Sequence, residues 1–177
     1  MRHSLSFFIL FIFLTGCAKV EPRRPLNPKP STTVLQVTKE VYASLKEREE
    51  IKIKRLIQLD SSRSYIESQY GFWYTYLVQK KSDKSRPKIG DTVAFTYEIS
   101  DLEGNLIYSK EALGLKKYVV DKEDFITAIQ KGIKLMKEGE TITFVIPFYN
   151  AFGVSGDFNK IGVNTSIKST VTLIKIN

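Results

Sequence analysis

The side chains that most often do covalent chemistry are nearly missing from this sequence. Its 177 residues hold one histidine, His3, and one cysteine, Cys17. Both lie near the N-terminus, so no hydrolase triad and no His/Cys metal site can be assembled. No Walker phosphate loop and no Gly-rich dinucleotide fingerprint occurs, and neither a metal nor an organic cofactor is expected. Chemistry that makes and breaks no covalent bond is left. An apolar cleft with aromatic walls, an aliphatic floor and a few backbone donors suits such chemistry. The composition supplies them, at 42% hydrophobic and 12% aromatic residues.

Such walls have to be positioned, and the stretch Phe125 to Gly153 is the best candidate for doing it. Phe125, Ile126, Ile129 and Ile133 recur at helical spacing with polar residues between them, which predicts a short amphipathic helix. Gly132 and Gly139 bracket its exit. From Glu140 to Ile146 the chain alternates, with Ile142, Phe144 and Ile146 on one face and Thr141, Thr143 and Val145 on the other. That pattern predicts a half-buried strand, ended by Pro147. Other alternating runs flank this unit: Phe72 to Val78, Val93 to Tyr97 after Gly90-Asp91, Leu106 to Ser109 after the Asp101–Asn105 turn, and Lys117 to Asp121. A terminal strand, Ser169 to Ile176, places Val171, Leu173 and Lys175 on one face. Strands around one helix predict an α+β domain over 71–177, an antiparallel sheet wrapped on one short helix.

The N-terminal part reads differently. Arg2 and His3 precede an apolar run, Leu5 to Leu14, that is too short to span a bilayer as a stable helix. Leu14-Thr15-Gly16-Cys17 resembles the bacterial lipobox, so residues 1–16 read as a lipoprotein signal peptide and Cys17 as the lipidated residue. Acyl chains contribute ~0.8 kcal/mol per buried CH₂, and several on one residue anchor stably. The prolines at 22, 25, 28 and 30 make 17–31 a semi-rigid spacer. Residues 32–70 read as a helical extension: one long helix to Leu59, capped by Ser31 or Thr32, then a break at Asp60-Ser61-Ser62 and a further turn or two. Its apolar stripe, Val34, Val37, Val41 and Leu45 and then Ile53, Leu56 and Ile57, lapses through the charged stretch Lys46 to Glu50 and reads as a face packed on its own domain or on a second copy. Spacer and break together set the helix apart, so it is expected to be dispensable for folding of the domain from Gly71.

The succession Phe-Ile-Thr-Ala-Ile, Gly-Ile-Lys-Leu-Met-Lys-Glu-Gly-Glu, a strand ending Val-Ile-Pro, and Ala-Phe-Gly resembles the FKBP-type peptidyl-prolyl isomerases. Gly90-Asp91-Thr92-Val93 resembles that family's first hairpin, and Thr170 to Ile176 its closing strand. With the N-terminus added, the chain is similar to FKBP-domain lipoproteins associated with gliding motility. The resemblance implies catalytic positions at Tyr97, Ile126 and Phe152, with the Ile126 N–H holding the substrate carbonyl. It implies substrate-binding positions at Ile107, Tyr108, Phe125, Ile129 and Ile161. Several depart from the family pattern: Ile107 replaces a Phe, Tyr108 an Asp, Ile129 an aromatic, often Trp, and Phe152 a Tyr. Ser169 sits near a usual Phe. The pocket stays apolar but loses a charge, a hydroxyl donor and aromatic surface.

The function implied is peptidyl-prolyl cis-trans isomerisation of exported or envelope proteins, by a domain held in the periplasm through a lipid anchor. Proline-containing polypeptides are the expected substrates. An envelope complex or a homodimer through the N-terminal helix are further candidate partners. A non-catalytic binding module on the same fold is the alternative. The net charge of +8 reads as a solvated lysine-rich surface, because the cations are interleaved with Glu and Asp. No zinc finger or RNP motif points to nucleic acid.

Overall fold

The computed structural model describes residues 32–81 and 85–177. The apolar N-terminal run, Cys17, the proline-rich spacer and Ser31 lie outside the described residues. The chain divides into two compact units, Met1–Thr38 and Lys39–Asn177. Helix α1 is Thr32–Leu59. The strands are β1 (Ile66–Glu67), β2 (Trp73–Val78), β3 (Thr92–Ser100), β4 (Leu106–Tyr108), β5 (Lys116–Val119), β6 (Thr141–Ile146) and β7 (Ile167–Ile176). Two short helices complete the set, α2 (Lys110–Leu113) and α3 (Thr127–Gly132), and single 3₁₀ turns follow α3 and β6. This is the α+β arrangement that the alternation predicts.

The sheet runs β1-β2-β6-β7-β3-β4, and every pairing is antiparallel. β7 borders one edge of β3, with Tyr97 opposite Val171. The other edge is shared: β5 pairs with its first half, Thr92 to Phe95, and β4 with its end, Ile99 and Ser100. The side chains of β3, β6 and β7 that point to one face meet α3 and the turn after it. There Phe95, Phe144, Val171 and Leu173 pack with Ala128, Ile129, Ile133 and Met136. Asp101 builds the turn between β3 and β4 as its residue types suggest, accepting from the Asn105 N–H at 2.8 Å and Asn105 Nδ2 at 2.7 Å. The buried carboxylate of Glu140 joins two separate segments of the chain. Its Oε1 accepts from the Lys80 N–H at 2.9 Å and its Oε2 from the Lys137 N–H at 2.8 Å.

Several expectations change. The portion of α1 in the second unit packs on the sheet face opposite α3. Ile53 has no exposed surface and sits among Trp73, Leu102 and Val145, with Leu56, Ile57 and Tyr65 beside it. The helix thus covers part of the sheet and is not set apart as the spacer and polar break suggest, and a chain starting at Gly71 would uncover Trp73 and Val145. For the same reason β6 is not half-buried: Thr143 and Val145, on its second face, are as covered as Phe144. No further helical turn follows Asp60. Its carboxylate accepts from the Ser62 N–H at 3.2 Å and the Tyr65 hydroxyl at 3.0 Å, turning the chain so that β1 pairs with β2.

In β7 an extra residue shifts the alternation. Ala94 faces Lys175 while Phe95 faces Leu173, so Ile174 is unopposed and Ile176, not Lys175, returns to the core. Gly132 is not a turn glycine, because its φ is −69°. It is there for close approach: a Cβ would lie 2.4 Å from the Phe144 ring. Gly139 does adopt the left-handed conformation, at φ +77°. The helix begins at Thr127, leaving Phe125 ahead of it and Ile126 as its cap residue. α2 has no counterpart in the sequence reading. It starts at Ser109, whose hydroxyl accepts from the Ala112 N–H at 3.2 Å.

Candidate functional site

All eight residues singled out for catalysis or binding converge on the core cluster between α3 and the sheet. They divide by burial. Ile126, Ile129 and Ile161 are covered and form the floor; Tyr97, Ile107, Tyr108, Phe125 and Phe152 are half-buried and stand above it. β3 supplies Tyr97, and β4 supplies Ile107 and Tyr108. The segment entering α3 supplies Phe125 and Ile126. Phe152 follows the turn after β6, and Ile161 lies in the loop before β7.

The walls are held by aromatic edge contacts. The Phe125 ring meets Tyr97 edge-on, with centroids 5.4 Å apart, and Phe95 at 5.7 Å. Tyr118 tilts against Phe125 at 6.1 Å, and Lys116 Nζ lies 5.5 Å from the Phe125 centroid. Burial raises the pKa of the Tyr97 hydroxyl, so it stays protonated. The Ile126 carbonyl accepts from the Ile129 N–H at 2.9 Å and the Gln130 N–H at 3.0 Å, starting α3. Among the described residues no acceptor takes the Ile126 N–H. It is thus a backbone donor beside an aromatic wall.

The opposite rim contains two residues that the sequence reading missed, Asp157 and Lys160. The Tyr108 hydroxyl donates to Asp157 at 2.5 Å, across 49 positions of sequence. The other Asp157 oxygen accepts from the Asn159 N–H at 2.9 Å and the Ile161 N–H at 2.8 Å. Partial desolvation pushes the Asp157 carboxyl up. The Tyr108 hydroxyl and the Ile161 and Asn159 N–H groups outweigh it and hold the carboxyl below its usual range. Its hydrogen bond to Asp157, with some desolvation, raises the Tyr108 phenol. Lys160 stands over the Tyr108 ring, 5.1 Å from Nζ to centroid, and its Nζ reaches the Ile107 carbonyl at 3.5 Å. The late loop is therefore fastened to β4. A carboxylate thus stands against the Tyr108 hydroxyl, on Asp157. Only the Asp-x-Asn-x-Ile turn pattern hinted at this carboxylate, and nothing in it points to Tyr108.

An antiparallel sheet closed over one short helix, with half-buried aromatic side chains gathered between helix, β3 and the late loop, is the FKBP-like α+β architecture. Residues 83–174, more than half of the chain, match the FKBP-type peptidyl-prolyl cis-trans isomerase family, and the chain belongs to that family. It is 31% identical over 101 residues to the probable FKBP-type peptidyl-prolyl cis-trans isomerase FkpA of Neisseria meningitidis serogroup B. That alignment takes 57% of this chain and only 37% of the relative's length. Among solved structures, the chain is similar to FkpA from Escherichia coli, with TM-score 0.60, 20% identity, and coverage of 100% of this chain and 82% of that one. It is also similar to the peptidyl-prolyl cis-trans isomerase from Pseudomonas syringae pv. tomato, with TM-score 0.58, 18% identity, and coverage of 74% and 95%. At these identities the structural likeness speaks for the fold alone.

Proposed function

We propose that the chain is a peptidyl-prolyl cis-trans isomerase acting on a proline seated against Tyr97, Phe125, Ile126 and Phe152. The observation that carries this reading is the edge-on Tyr97–Phe125 pair standing beside the free Ile126 N–H. Rotation about an Xaa-Pro bond crosses a barrier of ~18–20 kcal/mol because twisting breaks amide resonance. The planar amide has more charge separation than the twisted one, so a dry aromatic wall disfavours the ground state more than the transition state. The Ile126 N–H holds the neighbouring carbonyl so that the imide alone turns. Ile129 and Ile161 keep water from the floor. No proton transfer and no covalent intermediate is required.

The wider setting belongs to the same proposal. Cys17, in its lipobox-like sequence, anchors the chain to a membrane of the cell envelope, and the domain works in the periplasm on exported proline-containing polypeptides. Proteins of a gliding apparatus are candidate clients, on the sequence resemblance. One observation favours a second reading, a binding module without catalysis: Phe152 presents no hydroxyl to the substrate. Incubating the full chain in detergent with Xaa-Pro peptides, and following cis-to-trans conversion, tests the two. Acceleration above the uncatalysed rate supports the isomerase. Peptide binding without acceleration overturns it in favour of the module.

A further inference from the structure

The charged stretch of α1, where the apolar stripe lapses, faces the turn that leads into the cleft wall. Tyr42, Lys46 and Glu50 recur at four-residue steps and so lie on one side of the helix. Each touches the turn Phe148–Asn150. The Tyr42 ring meets Phe148 edge-on at 6.1 Å. Lys46 Nζ stands 4.2 Å over the Tyr149 ring. The Tyr149 hydroxyl donates to Glu50 at 2.6 Å, across 99 positions of sequence.

The turn in turn fixes Phe152. The Phe148 carbonyl accepts from both neighbours of Phe152, the Ala151 N–H at 3.1 Å and the Gly153 N–H at 2.8 Å. Phe148 is itself buried, and its N–H donates to Ser166 Oγ at 2.9 Å. Asn150 Nδ2 donates to the carbonyls of Tyr70 and Gly71, at 2.9 and 3.0 Å. A displacement of Phe148 is therefore transmitted to Phe152 through two backbone hydrogen bonds.

We infer that Glu50 and Tyr149 are positioning residues, through which helix α1 sets the placement of the Phe152 wall of the cleft. The inference rests on the proposed function only for its catalytic consequence. The helix is then more than a spacer or a lid on the second core: whatever displaces α1 is felt at the cleft. A purely structural role for the contact would lower stability without touching the wall. The two are separable because Tyr149→Phe keeps the ring, its contact with Phe148 and the Lys46 interaction, and removes one hydroxyl.

The test uses the full chain in detergent and two readouts. Hydrogen exchange of the Ala151 and Gly153 amides reports the turn, and kcat/KM for an Xaa-Pro peptide reports the cleft. In Tyr149→Phe and Glu50→Ala the two amides are expected to exchange about tenfold faster, while the β6 amides stay unchanged. The value of kcat/KM is expected to fall about three- to tenfold in each, and the double variant to fall no further than either alone. Glu50→Gln, which keeps an acceptor, restores most of both. Lys54→Ala breaks a different α1 contact, the 3.4 Å ion pair with Glu67, and is expected to leave both readouts alone. Unchanged exchange in Tyr149→Phe overturns the inference, and so does faster exchange with unchanged kcat/KM. A wild type without isomerase activity overturns the proposed function. In that case faster exchange in the variants, together with weaker peptide binding, still supports the positioning role.

Discussion

Replacing Ile53 by Ala tests whether α1 belongs to the folded core. Ile53 is 0% exposed and lies among Trp73, Leu102 and Val145. The substitution removes three carbons, worth about 2.4 kcal/mol at ~0.8 kcal/mol for each buried CH₂. The cavity left behind adds to this, at ~24 cal/mol per Å³ that fails to collapse. A pocket of ≈20 Å³ lies alongside, lined by Leu56, Ile57, Asp60, Tyr65, Leu102, Val145 and Lys168, so these neighbours are not tightly packed on that side and relax only in part. A loss of about 3 kcal/mol follows, within the usual range of ~2–5 kcal/mol for Ile→Ala in a core. For a chain of this size that lowers Tm by about 6–12 °C. The assay is a urea titration followed by fluorescence of Trp73, the one tryptophan, which itself touches the cluster. The midpoint should fall with little change in slope. Ile51, on the same helix and 61% exposed, is the control, and Ile51→Ala should stay within about 0.5 kcal/mol. If Ile53→Ala behaves like the control, with unchanged Trp73 emission, α1 does not pack on the sheet and the reasoning fails.

Four other outcomes are expected. Gly132→Ala should destabilise by about 1–3 kcal/mol in thermal unfolding despite alanine's better helix propensity, because its Cβ would strike the buried Phe144 ring. Tyr108→Phe should speed hydrogen exchange at Ile161 and raise KM about threefold with kcat nearly unchanged, because it releases Asp157 from β4. The Asp157 pKa is lowered by folding, so its contribution is present above the unfolded carboxylate pKa and disappears as pH falls through the folded one. The Tyr108–Asp157 contact should therefore survive from about pH 8 down through the ordinary carboxylate range and be lost only below it. Cys17→Ser should abolish incorporation of labelled fatty acid, and label that persists would remove the proposed anchor.

What the sequence reveals depends on how local the signal is. Period-two alternation in 93–97 and 141–146 is legible because each strand has one face on α3. Breakers such as Pro147 and Gly104 act at their own positions. The stripe of α1 through Ile53, Leu56 and Ile57 is legible as a packing face, but its partners are not, since Ile53 meets Trp73 and Val145 only after the sheet has formed, and Lys46 and Glu50 look like solvent-facing charges until Tyr149 is placed beside them. The extra residue at Ile174 is hidden because the apolar pattern runs on through it. At the site, the walls are readable from residue type and resemblance. The Tyr108–Asp157 contact is a pairing of two polar residues from distant segments, with no period to betray it. Gly132 resembles any helix-ending glycine until the Phe144 ring is found beneath it.

The measurement closest to the central claim is isomerisation of an Xaa-Pro peptide by the full chain and by Tyr97→Ala, with folding of both checked by circular dichroism. Tyr97 forms the wall that Phe125 buttresses edge-on at 5.4 Å. Removing it exposes the Phe125 ring to water. The account predicts catalysis by the wild type and a fall in kcat/KM of more than about tenfold in the variant, ~1.4 kcal/mol of transition-state stabilisation. A folded Tyr97→Ala protein as active as wild type would place the reaction elsewhere and contradict it.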